Sequence, residues 1–96
     1  LRLLIFIEGI FAIHSNSMAR LLAEKISRFS QIRITQPVQA NGVFVVMPHK
    51  VAEKVSSAFF FYPWNERISE YRLMTSWDTT EEDIDSFVDL LKKELD

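Results

Sequence analysis

Arg72 is the residue of this sequence with the clearest chemical potential, because it interrupts an apolar, alternating stretch. Side chains from 71 to 77 alternate as in a β-strand, which places Arg72 on one face of a sheet and Tyr71 on the other. A guanidinium in such a strand needs an anionic partner or water, because burying an unpaired charge is costly. Its planar fork suits bidentate binding of a carboxylate. Arg72 is therefore either a carboxylate clamp or a structural arginine paired with Glu70, Glu66 or a helix acid.

Other residue types that often do chemistry lack a spacing that predicts catalysis or metal binding. His14 and His49 are far apart in the sequence and the chain has no cysteine, so a metal site is not expected. A Gly-x-Ser-x-Gly setting is missing around every serine, including Ser15, Ser17, Ser56 and Ser57. The aromatic run 59–64 suits a core or an interface better than a ligand platform, and the acids at 81–85 suit a helix N-terminus. No catalytic or metal-ligating residue is predicted.

The strand that carries Arg72 leads directly into the last helix. Thr79 or Thr80 can cap that helix, and Thr80-x-x-Asp83 has the pattern of a capping box. The helix should pack on the sheet through one apolar stripe, formed by Ile84, Phe87, Val88 and Leu91. The alternation of the strand also predicts that its inward face is shared by Tyr71, Leu73, Thr75 and Trp77.

The first third of the sequence permits two interpretations. The spacing of its apolar residues allows one long helix from near residue 3 to Phe29. Alternatively, a short strand over residues 3–6 precedes a helix that is capped by Ser15 or Ser17. Both interpretations include a helix over residues 18–29 whose apolar side chains point inward.

The middle of the chain is predicted to contribute three more strands and a short helix, with the strands at 32–35, 43–47 and 59–62 and the helix at 49–58. The strand at 43–47 is apolar on both faces, which is typical of a central strand, and Asn41 and Gly42 supply a turn before it. Pro63 closes the aromatic strand, which suits the edge of the sheet. Residues 64–69 then form a polar turn.

Length and composition indicate one globular domain over residues 1–96. A net charge of -2 and the lack of a basic stripe argue against nucleic acid and against an anionic membrane surface as partners. The apolar run 3–7 is too short to span a bilayer, and Glu8 interrupts it. The lack of cysteine excludes disulfides and thiolate catalysis, and it fits a cytoplasmic location.

Two motifs give the sequence a family resemblance. They are Pro37-x-x-x-Asn41 before a core strand, and Arg72-x-x-Thr75 followed by Asp78-x-Thr80-x-x-Asp83-Ile84. Together they resemble the C-terminal small domain of the pyridoxal-phosphate-dependent beta-eliminating lyase and threonine aldolase family, which belongs to fold-type I. The resemblance covers residues 13–96, whereas residues 1–12 have no recognised counterpart.

The resemblance implies that Arg72 holds the α-carboxylate of an amino-acid substrate. Threonine aldolases usually carry histidine directly after the Arg-x-x-Thr segment, but this chain has Ser76 and Trp77 there, so aldolase specificity does not follow. The Schiff-base lysine of the family lies in its large domain, in a setting shared by none of Lys25, Lys50, Lys54, Lys92 and Lys93. A glycine-rich phosphate cup has no counterpart, since the glycines are Gly9 and Gly42. Pyridoxal phosphate is implied for the full-length enzyme, while this chain alone is expected to bind no cofactor and to be inactive.

The predicted fold is an α+β two-layer sandwich. A mixed or antiparallel sheet of three or four strands carries the helices at 18–29 and 84–91 on one face. The predicted function is that of the C-terminal domain of a pyridoxal-phosphate-dependent amino-acid lyase or aldolase; the alternative is a non-enzymatic module for self-association or partner binding. A homo-oligomer, most simply a dimer, is expected through the open face of the sheet or the N-terminal apolar segment.

Overall fold

The computed structural model describes residues 2–38 and 40–96, and it describes the side chains of residues 10, 12–38 and 40–96. Its helices are α1 (Arg2–Ile26), α2 (His49–Val55) and α3 (Glu81–Leu95). Its strands are β1 (Arg33–Ile34), β2 (Gly42–Val46), β3 (Phe61–Asn65) and β4 (Glu70–Met74). The strands form one antiparallel sheet in the order β1-β2-β4-β3. The predicted α+β fold is confirmed.

All three helices cover one face of the sheet. The alternate residues Val43 and Val45 of β2, and Tyr71 and Leu73 of β4, are buried on this face. They share one apolar core with side chains of the helices, among them Leu22, Ile26, Val55, Ile84, Phe87 and Leu91. Burial of this apolar area is the main force that holds the two layers together. The opposite face of the sheet, called the open face below, carries the residues between them, including Phe44 and Arg72.

The N-terminal segment is one continuous helix, so the alternative with a short strand at residues 3–6 is wrong. Ser15 and Ser17 lie within α1 and do not cap it. From Ser15 onward, the buried positions of α1 are spaced as on one face of a helix: Ser15, Ala19, Leu22, Ala23 and Ile26. Across the residues that the structure describes, no helix is long and apolar enough to cross a membrane.

The aromatic edge strand differs from its predicted bounds. β3 runs from Phe61 to Asn65 and includes Pro63, so Pro63 does not close the strand and the polar turn does not begin at Trp64. Proline is tolerated here because β3 lies at the edge of the sheet, where a strand has one partner and a missing N–H removes little pairing. The register shifts between Pro63 and Asn65, and a 3₁₀ turn over Glu66–Ile68 then leads into β4.

The junction between β4 and α3 confirms the predicted helix cap and corrects the predicted strand end. Thr80 and Asp83 form a reciprocal capping box, with hydrogen bonds of 2.9 and 3.1 Å between each side chain and the other residue's backbone N–H. β4 ends at Met74, and the backbone N–H of Ser76 donates to the Thr79 hydroxyl at 2.8 Å. Because the strand has ended, its alternation no longer applies, and Trp77 is 61% exposed instead of sharing the inward face.

Candidate functional site

Arg72 lies at the centre of the open face, between two aromatic residues on the neighbouring strands. The antiparallel register places Phe44 of β2 opposite Arg72 on one side and Tyr62 of β3 opposite it on the other. Cross-strand partners of this kind have adjacent side chains. The helices pack on the other face, so Arg72 points away from them.

Three aromatic rings surround the guanidinium. The Arg72 Cζ atom lies 5.6 Å from the ring centre of Phe44, 5.9 Å from that of Tyr62 and 5.8 Å from that of Trp64. Phe44 and Trp64 also contact each other in an edge-to-face arrangement, with ring centres 5.0 Å apart. Aromatic faces attract a cation and bring apolar surface around it, but they supply no hydrogen-bond acceptor of full strength. The rings hold the guanidinium in place and leave its N–H groups in need of partners.

The hydrogen bonds of Arg72 to the described residues leave most of the guanidinium unsatisfied. Its Nη1 donates to the Tyr62 hydroxyl at 2.5 Å. Its Nε is buried and has no hydrogen-bond partner among the described residues. None of the salt bridges formed by the described side chains includes Arg72. Glu70, a partner considered for the structural alternative, accepts a hydrogen bond from the Thr35 hydroxyl instead. The guanidinium is thus a partly buried cation that no described carboxylate neutralises.

Gly42 leaves the space that Arg72 fills. A Cβ at position 42 would lie 3.0 Å from Nε of Arg72, 3.5 Å from Nη2 and 3.7 Å from Cζ. Gly42 does not form the turn before β2, as the sequence predicted, because it lies in the strand and no glycine with a positive φ is present among the described residues. The left-handed residue of that turn is Ala40, with a φ of 59°. Gly42 is needed for close approach rather than for backbone freedom.

The structure brings the two sequence motifs together at their ends. The Asn41 side-chain amide donates to the Thr75 carbonyl at 2.8 Å, and the Thr75 backbone N–H donates to the Asn41 carbonyl at 3.0 Å. The Thr75 hydroxyl lies 2.7 Å from the Ser15 carbonyl, which ties the same point to α1. Asn41 and Thr75 therefore fix the relative position of β2 and β4, and with it the position of Gly42 next to Arg72.

The described residues do not fit pyridoxal phosphate. Lys25 and Lys54 are ion-paired with Asp85 and Glu94. The other lysines lie exposed on the helices, on the side of the sheet away from Arg72: Lys50, Lys92 and Lys93. Gly42 lies within β2, so it contributes to no phosphate-binding loop. No step that uses the cofactor can be assigned to these residues.

A second polar cluster lies between α2 and β4, at the edge of the core. His49 Nδ1 is 2.9 Å from the Tyr71 hydroxyl, and His49 Nε2 is 3.0 Å from Glu53. Burial is the main cause that raises the pKa of Tyr71, and the negative charges of Glu53 and Glu66 raise it further. His14 is elsewhere, with Nε2 2.6 Å from the Thr79 carbonyl. Within the searched, described residues, no group of three metal-ligating side chains occurs.

Sequence reasoning singled out Arg72 and missed the residues that surround it. Tyr62, Trp64 and Phe44 reach Arg72 from two other strands, and Gly42 was assigned to a turn. A usable signal was the spacing of aromatic residues at 60, 62 and 64, which places them on one face if the strand continues through Pro63. The predicted strand end at Pro63 concealed that alternation.

The chain was compared with known protein families, sequences and structures. No family model matches the chain. The chain is 38% identical, over 72 residues, to the low specificity L-threonine aldolase of Pseudomonas aeruginosa; the match covers 72% of this chain and 20% of that protein. It also resembles the solved structure of Leishmania major threonine aldolase, with a TM-score of 0.72 and 29% identity over 86% of this chain and 25% of that one. The resemblance to the threonine aldolase family is confirmed.

A more distant structural neighbour extends the likeness of the fold. The NifS-like protein from Rickettsia africae matches 86% of this chain and 28% of its own, with a TM-score of 0.68 and 17% identity. At that identity the likeness concerns the fold alone. The chain spans only 20% of the length of the curated threonine aldolase that it matches.

Proposed function

We propose that this chain is the C-terminal domain of a pyridoxal-phosphate-dependent amino-acid lyase or aldolase, and that Arg72 binds the α-carboxylate of the amino-acid substrate. In this proposal the cofactor and its lysine are held by residues outside this sequence, and the chain is inactive alone. A cytoplasmic location is part of the proposal, because the chain has no cysteine that an oxidising compartment would pair.

The observation that supports this function is that the Arg72 guanidinium carries a charge that no described acid neutralises. The guanidinium lies on the open face, away from the helices. A structural arginine in a half-buried sheet position would ordinarily be paired, since an uncompensated charge destabilises the fold. A carboxylate brought by a substrate would supply the missing charge and accept its hydrogen bonds.

A chimera tests the proposal directly. This chain replaces the segment that it matches in the Pseudomonas aeruginosa L-threonine aldolase, and cleavage of L-threonine is measured at several substrate concentrations. The chimera should be active, and Arg72→Lys should raise its KM at least tenfold, because lysine cannot reproduce the bidentate fork. The matched control is Arg33→Lys at an exposed position of β1, which should leave KM unchanged.

Two results count against the proposal. An active chimera whose KM does not respond to Arg72→Lys would remove Arg72 from substrate binding. A folded chimera that has lost all activity, with cofactor still bound, would show that this chain cannot serve as the corresponding part of an aldolase.

A second candidate function is a non-enzymatic module that associates with itself or with a partner. Exposed aromatic residues on and beside β3 favour it, with Phe60 69% exposed and Trp64 53% exposed. This face also contains Arg72, so a partner that covered it would compete with a small carboxylate. The coding sequence upstream of Leu1 distinguishes the two candidates: a lysine-bearing large domain in the same reading frame supports the enzyme.

A further inference from the structure

A guanidinium has two edges that can hold a carboxylate through two N–H groups. One edge is formed by Nε and Nη2, and the other by Nη1 and Nη2. In Arg72 the first edge faces Gly42, because a Cβ there would meet Nε and Nη2 before any other atom. Nε is also closed to solvent. The first edge is therefore unavailable to a ligand in this conformation, and the second edge is the one that a carboxylate can reach.

The Tyr62 hydroxyl stands at the edge that remains. It accepts a hydrogen bond from Arg72 Nη1 at 2.5 Å. A phenol hydroxyl has one hydrogen to donate as well as lone pairs to accept with. Because Nη1 of an arginine can only donate, the hydrogen of Tyr62 is not used in this contact. Among the described residues, Tyr62 donates to no acceptor.

We propose that Tyr62 is a second carboxylate-binding residue: its hydroxyl accepts from Arg72 and donates its own hydrogen to a carboxylate held at the Nη1–Nη2 edge. This inference rests on the proposed function, since it assumes that Arg72 binds a carboxylate. The two carboxylate oxygens accept from the N–H groups of that edge, and one of them also accepts from the phenol. A single planar anion thus accepts hydrogen bonds from both the Arg72 guanidinium and the Tyr62 hydroxyl. An apolar or cationic ligand has no acceptor for them.

The aromatic rings beside Tyr62 help to fix its position. Tyr62 is held at its position by neighbours on both sides, with its ring centre 6.4 Å from that of Trp64 and 6.1 Å from that of Phe60. The hydroxyl therefore has a defined place relative to Arg72 before any ligand binds. Preorganised donors of this kind lose little freedom on binding, which favours affinity.

The test uses the 96-residue chain, at a concentration at which it sediments as a monomer, with L-threonine as the probe. Binding is followed by NMR through the Arg72 Nε–Hε signal and the amide signals of β3 and β4. Tyr62→Phe keeps the ring beside Arg72 and removes only the hydroxyl, so it should weaken L-threonine binding about tenfold, the effect of one hydrogen bond to a charged group. Arg72→Met should abolish binding.

The matched control is Tyr71→Phe. It removes the hydroxyl of the other tyrosine, which lies on the helix-covered face, and should leave the dissociation constant for L-threonine unchanged. L-threoninol, which has no carboxylate, should not bind to any variant. The ligand-free Arg72 Nε–Hε signal should be retained in Tyr62→Phe, which separates loss of a ligand contact from loss of structure.

Each other outcome overturns the inference. If Tyr62→Phe binds L-threonine as tightly as the wild type while Arg72→Met does not bind, Tyr62 is not a ligand and the proposed role of Arg72 stands. If the wild-type chain shows no saturable binding, this chain does not form the two-residue site by itself. The KM values of the chimera and of its Arg72→Lys variant then test the proposed function independently.

Discussion

Gly42 and Arg72 lie side by side on the open face, so close that a Cβ at position 42 would come within 3.0 Å of Arg72 Nε. Gly42 directly follows the first sequence motif and Arg72 begins the second, and the Asn41–Thr75 hydrogen bonds hold the two motifs in register. The guanidinium can come this close to β2 only because position 42 has no side chain. The glycine thereby selects which edge of the guanidinium faces outward.

Gly42→Val should therefore displace the guanidinium without unfolding the chain. Valine suits a strand, so the fold should persist, with a change in the free energy of unfolding of about 1 kcal/mol or less. The Arg72 Nε–Hε signal should move, and binding of L-threonine should weaken at least fivefold. Val46→Ile, on the same strand and face, is the control. An unmoved Nε–Hε signal in Gly42→Val would contradict the close approach.

The isolated chain should form no specific Schiff base with pyridoxal phosphate. Its described lysines are ion-paired or exposed on helices, on the side of the sheet away from Arg72, and none is placed to form an imine there. The measurement is the absorbance of the protein-bound imine after removal of free cofactor, with a full-length threonine aldolase as positive control. A stable band that one lysine substitution abolishes would show that the chain holds a cofactor site.

The isolated chain should associate as a dimer at micromolar concentration, because one helical layer leaves the open face and its aromatic residues uncovered. Sedimentation velocity measures this directly. Trp64→Lys should give a monomer if the open face forms the contact, whereas Ile13→Lys, at a position of α1 that is 67% exposed, should do so if the helix forms it. A wild-type chain that sediments as a monomer would end this proposal.

The stability of the chain should fall as the pH rises above about 10, the usual pKa of tyrosine. The pKa of Tyr71 is raised in the folded state, mainly by burial. Above pH 10 the unfolded chain loses this proton while the folded chain retains it, so the free energy of unfolding decreases with pH. Urea midpoints at pH 8 and pH 11, about two units below and one unit above that usual pKa, measure how far the stability falls.

The Tyr71→Phe variant separates this residue from the other groups that titrate at high pH. Its urea midpoint should decline less between the two pH values than that of the wild type, even if its stability at pH 8 is lower because the contact with His49 is lost. Equal declines in both proteins would mean that Tyr71 does not contribute to the pH dependence.

Ala40→Gly should stabilise the fold by about 0.5–1 kcal/mol, because an alanine with a φ of 59° is strained and glycine is not. Chemical denaturation measures the difference. Ala58→Gly is the matched control, since Ala58 is also exposed but does not have a positive φ, so glycine there should be neutral or destabilising. A lower stability of Ala40→Gly would contradict the left-handed assignment.

Local features of this protein could be predicted from its sequence. The Thr80–Asp83 capping box and the inward stripe of α3 were correctly predicted, because a cap and a helical stripe involve residues three or four positions apart. The face of Arg72 also followed from alternation alone. The resemblance to the threonine aldolase family rested on short motifs that are visible in the sequence.

Element ends were harder to predict where the tertiary structure overrides a local signal. Pro63 normally ends a strand, but the edge position of β3 tolerates it. Trp77 continues the alternation of β4 in the sequence, yet the hydrogen bond between Ser76 and Thr79 follows the end of the strand and leaves Trp77 exposed. Neither outcome can be inferred without knowing which strands are neighbours.

The sequence by itself determined that this chain has a strand with one arginine on its outward face, followed by a capped helix. Only the tertiary structure decided what surrounds that arginine. Tyr62 is ten positions away and Gly42 thirty, and the pairing of β4 with both β3 and β2 brings them to the same guanidinium. Contacts of this kind depend on strand order and register, which are set by the packing of the whole core rather than by any local pattern.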